Sequence, residues 1–201
     1  MPNARPRTQD VPSGYPSSYE SVIRLADGRQ VEIRPILPSD KPELAEAIRT
    51  ADAETLHARF LGGPPPLTAA VLDGLTRVAY VSGFALVARG RGRGVAVGRY
   101  AALPPSGDGS VLAEVAVVVA PEWRRVALAT ALVQLLARRA QACGVTDFTA
   151  LFLAENRPVT ELAHEGHARV VIAEGAAQLY ASLKTSPNDG PGCDRSEKQR
   201  Q

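Results

Sequence analysis

Apolar residues occur first in short alternating runs and later at helical spacing. In SVIRLADGRQVEIRPI, Val22, Ile23 and Leu25 precede Asp27-Gly28, and Val31, Ile33 and Ile36 follow it, which predicts a hairpin closed by a D-G turn. Asp40 then stands where it can cap a helix, with Glu43 at capping-box spacing and Leu44, Ala47 and Ile48 at helical intervals. A second helical piece over 52–60 is stopped by Gly62-Gly63-Pro64-Pro65-Pro66, after which Thr68 can cap a short helix carrying Val71, Leu72 and Leu75. Residues 84–88 and 95–103 alternate as strands around RGRGRG, a second hairpin. The run SVLAEVAVVVAPEWRRVALATALVQLLARRAQACG passes from strand directly into a long helix. Leu128, Leu132, Leu135 and Leu136 form its apolar stripe, Arg138 and Arg139 point elsewhere, and Gly144 stops it. Strand 148–153, a short helix 158–164 and strands 168–173 and 178–183 complete the chain. Hairpins followed by a β-α-β unit predict an α/β protein with a mixed sheet.

The ends change this picture. Residues 1–19 and 185–201 are rich in Pro, Ser, Gly and charge and lack the apolar content to fold, so one domain is expected over 20–184 between two disordered segments. With 45% hydrophobic residues in a chain of 201, that domain can bury a sufficient core unaided. Twenty-three Lys and Arg against 21 Asp and Glu leave only +2, and aromatics are 5%, so neither the charge nor the stacking surface of a nucleic-acid binder is present. The most apolar run, 111–120, is interrupted by Glu114, which argues against a membrane span, and the first residues lack a signal peptide's apolar segment. Cys143 and Cys193 form neither a disulfide framework nor a metal-binding pair. A cytoplasmic protein without membrane or nucleic-acid partners is expected.

Chemistry concentrates around the strand-to-helix passage. Such a junction presents unpaired N–H groups and the positive end of the helix dipole, an anion site suited to pyrophosphate, here with Arg124 and Arg125 adding charge and Ala127 and Ala129 keeping the backbone approachable. A plain crossover helix with solvated arginines has the same pattern. Glu114 interrupts a strand that is apolar on both faces, where a carboxylate must be hydrogen-bonded, paired or near water. Burial would raise its pKa and suit it to act as a base, whereas a place near the exposed strand start would make it structural. Gly90, Gly92 and Gly94 lie between strands instead of opening a helix, so they are a turn and not a phosphate loop. Three histidines without a close His/Cys/Asp cluster predict no metal.

These residues resemble a family. VVVAPEWRRVALATALVQLLARRA is similar to motif A of the GNAT N-acetyltransferases, in which Gln or Arg is followed, after two residues, by Gly or Ala and, after one more, by Gly or Ala. Arg124, Ala127 and Ala129 take those places. LAENRPVTELAHEGHARVV resembles the later strand and helix of that family. IRPILPSD, HARFLGG, LTRVAYVSGFALVA and AEVAVVVAPEW resemble the catalytic domain of bacterial protein lysine acetyltransferases, including those fused to a cyclic-nucleotide-binding domain. About 19 residues ahead of the domain are too few for such a regulatory unit, so control of the fused kind would require a separate chain.

The resemblance implies a GNAT fold: a mixed, mostly antiparallel central sheet with flanking helices, splayed between residues 115–119 and 148–153. It implies acetyl-CoA as co-substrate, its pantetheine along Val117, Val118 and Val119. Its pyrophosphate would lie on the turn of Arg124, Arg125, Val126, Ala127, Leu128, Ala129 and Thr130, with Asn156 near the cofactor. It assigns Glu114 as general base for direct transfer to an amine, with a protein lysine ε-amine the leading acceptor. Two alternatives remain: a small-amine acetyltransferase, with specificity set by the loops 61–66 and 104–110, or a weakly catalytic acyl-CoA-binding module. The chain departs from the pattern where glycines or a Gln-Gly-Arg-Gly-type turn are usual, having Arg125, Val126, Ala127 and Ala129. No tyrosine follows in the place that often protonates the leaving thiolate. His57, His164 and His167 read as structural or surface residues.

Overall fold

The structure, a computed structural model, describes residues 11–183 apart from 62, 65, 106 and 108. The D-G hairpin forms as β1 (Ser21–Arg24) and β2 (Gln30–Pro35). Three helices follow, α1 (Lys41–Thr50), α2 (Ala53–Phe60) and α3 (Ala69–Thr76), and then the glycine-rich hairpin of β3 (Gly83–Gly90) and β4 (Arg93–Ala102). Arg91 and Gly92 at its turn have φ of 52° and 79°, the left-handed pair that a tight hairpin needs. The rest comprises β5 (Leu112–Val119), α4 (Leu128–Ala142), β6 (Asp147–Leu153), α5 (Arg157–Glu165), β7 (Arg169–Ala173) and β8 (Ala176–Ser182).

The eight strands form one sheet in the order β1-β2-β3-β4-β5-β6-β8-β7. All neighbours are antiparallel except β5 and β6, which α4 joins as a crossover. The expected mixed, mostly antiparallel α/β sheet is therefore the one that forms. α4 lies on the face of β3, β4 and β5 that carries Tyr100, Gly98 and Val115, and its Leu128, Leu132 and Leu136 are fully buried there. Gly98 permits this approach, because a Cβ on it would come within 3.1 Å of Leu136 Cδ1.

Four details differ from the sequence expectations. Asp40 precedes α1 without capping it. Its carboxylate instead takes the Arg34 guanidinium at 2.6 and 2.8 Å and the Leu37 N–H at 2.8 Å, while Glu43 reaches the sheet to accept from Arg89 and from the Gly94 N–H. A strong bidentate partner outcompetes one helix N–H. Arg139 does not point away from the core; it is 6% exposed and donates to the Tyr80 carbonyl at 2.8 Å. Tyr15 and Tyr19 pack edge-on against Tyr80 and Phe84, so the boundary expected at residue 20 falls inside this packing. Cys143 is disulfide-bonded, a correction to the expectation of unpaired cysteines, and Cys193 lies outside the described residues. Thr68 does cap α3, accepting from the Val71 N–H.

Candidate active site

β5 and β6 pair at only three positions, Leu112 with Asp147, Ala113 with Phe148 and Glu114 with Thr149, and then part. β5 stays joined to β4 as far as Val119 opposite Ala96, and β6 to β8 as far as Leu153 opposite Ala176. Residues 115–119 consequently have no strand partner on the side of β6. The splay lies where the sequence places it. Along that side, backbone donors and acceptors that a closed sheet would use remain available to an extended ligand carrying amides of its own. Val117, Val118 and Val119 are half-buried there.

At the wide end of the fork the chain turns through the 3-10 segment Pro121–Trp123 and enters α4. Trp123 fixes this turn: it is 3% exposed, packed flush against Gly90, where any Cβ would collide with the indole, and covered by the Arg29 guanidinium 4.0 Å from the ring centre. Arg125 and Ala127 both adopt left-handed backbone, with φ of 59° and 64°. These two residues bear the side chains that glycine would lack, and the geometry is glycine-like all the same. Ala127 opens α4 with no side-chain cap, so no protein group accepts from the N–H groups of Leu128, Ala129 and Thr130 among the described residues. With the helix dipole behind them, these unpaired donors gather at the start of α4, where Ala129 and Thr130 are half-buried and Leu128 is buried.

Arg124 has a different task from the one its charge suggested. Its guanidinium donates to the Val119 carbonyl at 3.1 Å and to the Thr55 hydroxyl at 2.7 Å, while that hydroxyl donates to Asp52 at 2.6 Å. Asp52 also accepts the Thr55 N–H, and these hydrogen bonds hold its carboxyl below the usual carboxylate range. The chain of contacts ties α2 to the end of β5. Arg125 remains exposed and makes no side-chain hydrogen bond among the described residues.

Glu114 occupies the last pair before the fork opens. Of the two placements the sequence leaves open, it takes the exposed one, on the sheet face opposite α4. Being the third residue of β5, its side chain stands one position out of phase with the buried Ala113 and Val115. It lines a shallow cleft of about 190 Å³ with Ala116, with Arg99 and Ala101 of β4 and with Arg59 of α2. The register explains the grouping: Ala101 faces Glu114 and Arg99 faces Ala116. Arg59 is one helical turn beyond Thr55, on the α2 face that the Arg124 contact turns toward β5. Burial lowers the pKa of both guanidiniums; Arg99 adds to this at Arg59, and Glu114 opposes it at both.

Asn156 lies at the carboxyl end of β6, on the same edge of the sheet as the start of α4. Its side-chain oxygen accepts from the Val159 N–H at 3.4 Å and caps α5. His57, His164 and His167 are exposed, and none of them lines the cleft. Sequence reasoning missed Arg59 and Arg99. The available signal for Arg99 was a charge within the alternation Val95, Val97, Arg99, Ala101; Arg59 gave none.

The sequence and the fold recur in known proteins. A sequence model of the acetyltransferase (GNAT) family matches residues 65–167. Acetyltransferase PA5475 of Pseudomonas aeruginosa is 32% identical over 145 residues, 70% of this chain and 76% of that protein. The GNAT domain of S. lividans PAT superposes with a TM-score of 0.75 at 24% identity, covering 84% of this chain and 99% of that one. YncA of Salmonella typhimurium, a putative acetyltransferase solved with its cofactor acetyl-CoA, gives a TM-score of 0.59 at 15% identity over 80% of this chain and 97% of its own. This chain belongs to the GNAT family of acetyltransferases, enzymes of acetyl-CoA-dependent acyl transfer.

Proposed function

We propose that the protein transfers the acetyl group of acetyl-CoA to an amine, with a protein lysine ε-amine as the leading acceptor and Glu114 as general base. One observation carries this reading: Glu114 sits where β5 and β6 part, at the closed end of the groove whose open end is the α4 start. The two ends are separated by the five residues 115–119, about 17 Å of extended strand, which an extended amide-bearing arm can span. The residues fit acetyl-CoA on this account. Of Val117, Val118 and Val119, Val117 and the Val119 N–H supply backbone to the arm, because the Val118 backbone is turned to Val97 of β4 and the Val119 carbonyl accepts from Arg124. Arg125 to Thr130 supply the turn for the pyrophosphate, and Arg124 and Asn156 hold the two ends of the fork in place. Left-handed Arg125 and Ala127 keep the turn open despite their side chains.

The case for Glu114 as base rests on its place at the point of divergence and not on burial, since it is exposed and open to an acceptor. An acceptor ammonium gives one proton to the Glu114 carboxylate, directly or through water, and the carboxylate passes it to solvent. The freed nitrogen lone pair forms the N–C bond to the thioester carbonyl carbon. The C–S bond breaks with its electron pair on sulfur, and the second nitrogen proton neutralises the departing thiolate. No tyrosine is needed for that last proton. The resemblance of IRPILPSD, HARFLGG and AEVAVVVAPEW to bacterial protein lysine acetyltransferases supports a lysine acceptor, and we place the reaction in the cytoplasm.

Calorimetric titration with acetyl-CoA, followed by CoA release with a lysine-containing peptide, tests this reading. Saturable binding and turnover in the wild type, with Glu114→Gln still binding acetyl-CoA but losing turnover at neutral pH, are expected. Unchanged turnover in Glu114→Gln across pH removes Glu114 from the mechanism.

A further inference from the structure

Arg59 and Arg99 are the unusual pair in this molecule. Other sheltered arginines have partners: Arg34 is held by Asp40, Arg89 by Glu43, and Arg139 by the Tyr80 carbonyl. Arg59 and Arg99 are half-buried, yet neither makes an ion pair among the described residues. Among the described residues, Arg59 has the ring of its neighbour Phe60, 5.1 Å from the guanidinium carbon, and Arg99 a 3.5 Å contact to the Gly74 carbonyl. They line one cleft with a single carboxylate, so two partly desolvated positive charges face one negative charge. An isolated ammonium approaching Glu114 meets a site whose net charge is positive. A ligand that brings an anion together with its amine meets no such opposition.

We infer that Arg59 and Arg99 anchor an anionic group of the acceptor, and that the acceptor is therefore an amine carrying a carboxylate close to its nitrogen. This rests on the reading of Glu114 as the base that faces the acceptor. Arg99 stands opposite Ala116, two residues along β5 from Glu114, so the two ends of such an acceptor are separated by about 7 Å of strand. That chemistry has two sources: the acid of a free amino acid, or an acidic side chain beside a lysine in a polypeptide. Planar guanidinium forks suit a carboxylate in either case.

The experiment measures CoA release with β-alanine, γ-aminobutyrate and Nα-acetyl-lysine against their carboxamides, and with peptides containing Lys-Glu against Lys-Gln. A kcat/KM at least tenfold higher for acids than for amides is expected, carried by KM, and Arg99→Gln and Arg59→Gln should each bring the ratio to within twofold of one. The free acids and the peptides identify the source. Equal use of acid and amide by the wild type, or a preference that survives both substitutions, overturns the inference. Calorimetric titration of N-acetyl-γ-aminobutyrate and its carboxamide reads the same site without turnover. Tenfold tighter binding of the acid, lost in Arg99→Gln, upholds the anchor even if no amine is acetylated, a result that would sink only the acetyl-transfer reading. Equal binding of the two, or none, overturns the anchor.

Discussion

The two faces of the β4–β5 pair are made from alternate residues of the same strands, and they differ completely in what they tolerate. Toward α4, Tyr100 is 1% exposed and Leu132 and Leu136 are 0% exposed, with Gly98 admitting the helix. One residue out of phase, Arg99 and Glu114 face a cleft open to water. A period of two thus separates the residues that keep the protein folded from those proposed to do its chemistry, and mutation should separate the two.

The strongest test pairs the faces directly. Glu114→Gln should lower acetyl transfer on the order of 10²–10⁴-fold while the urea unfolding free energy stays within about 0.5 kcal/mol of wild type. Activity and stability falling together would erase the distinction. Leu136→Ala should show the reverse, losing about 2–5 kcal/mol in urea denaturation with acetyl transfer per folded molecule close to wild type.

Tyr100→Phe sharpens the buried side. The Tyr100 hydroxyl has no hydrogen-bond partner among the described residues, and burial pushes its phenol well above the ordinary value of 10.0. A raised folded-state pKa means that its contribution to stability is complete below pH 10 and is lost as pH rises further, because the unfolded chain ionises first. Removing the hydroxyl should stabilise by about 1 kcal/mol and flatten the alkaline decline in thermal melts above pH 10. The smallest effect belongs to the turn between the faces. Ala127→Gly relieves a left-handed alanine but loosens the unfolded chain, so a net gain of about 0.5 kcal/mol in melting experiments is expected, with acetyl-CoA affinity retained.

Much of this was legible in the sequence because it depends on local pattern. The two hairpins, the strand running into α4 and the Thr68 cap follow from alternation, glycine placement and capping chemistry, whereas the fork over 115–119 came only from the family resemblance. Glu114 was found as an interruption in an apolar strand, although its exposure was not, since residues on both sides of it are apolar. Asp40 and Glu43 were misread because their partners Arg34, Arg89 and Gly94 come from the sheet. Arg139 was misread because a charge on a helix resembles a solvated one until Tyr80 is placed above it. Arg59 and Arg99 gain meaning only from a strand register and a helix position that no local window contains.

The fork has a consequence for solubility as well. An ordinary sheet has two outer strands, whose unpaired edges invite foreign strands and aggregation. This sheet has a third open edge, along 115–119, but it lies inside the molecule, between β5 and a β6 that is still joined to it at its base. A strand or an extended ligand can therefore reach that edge only from the wide end, beside the start of α4.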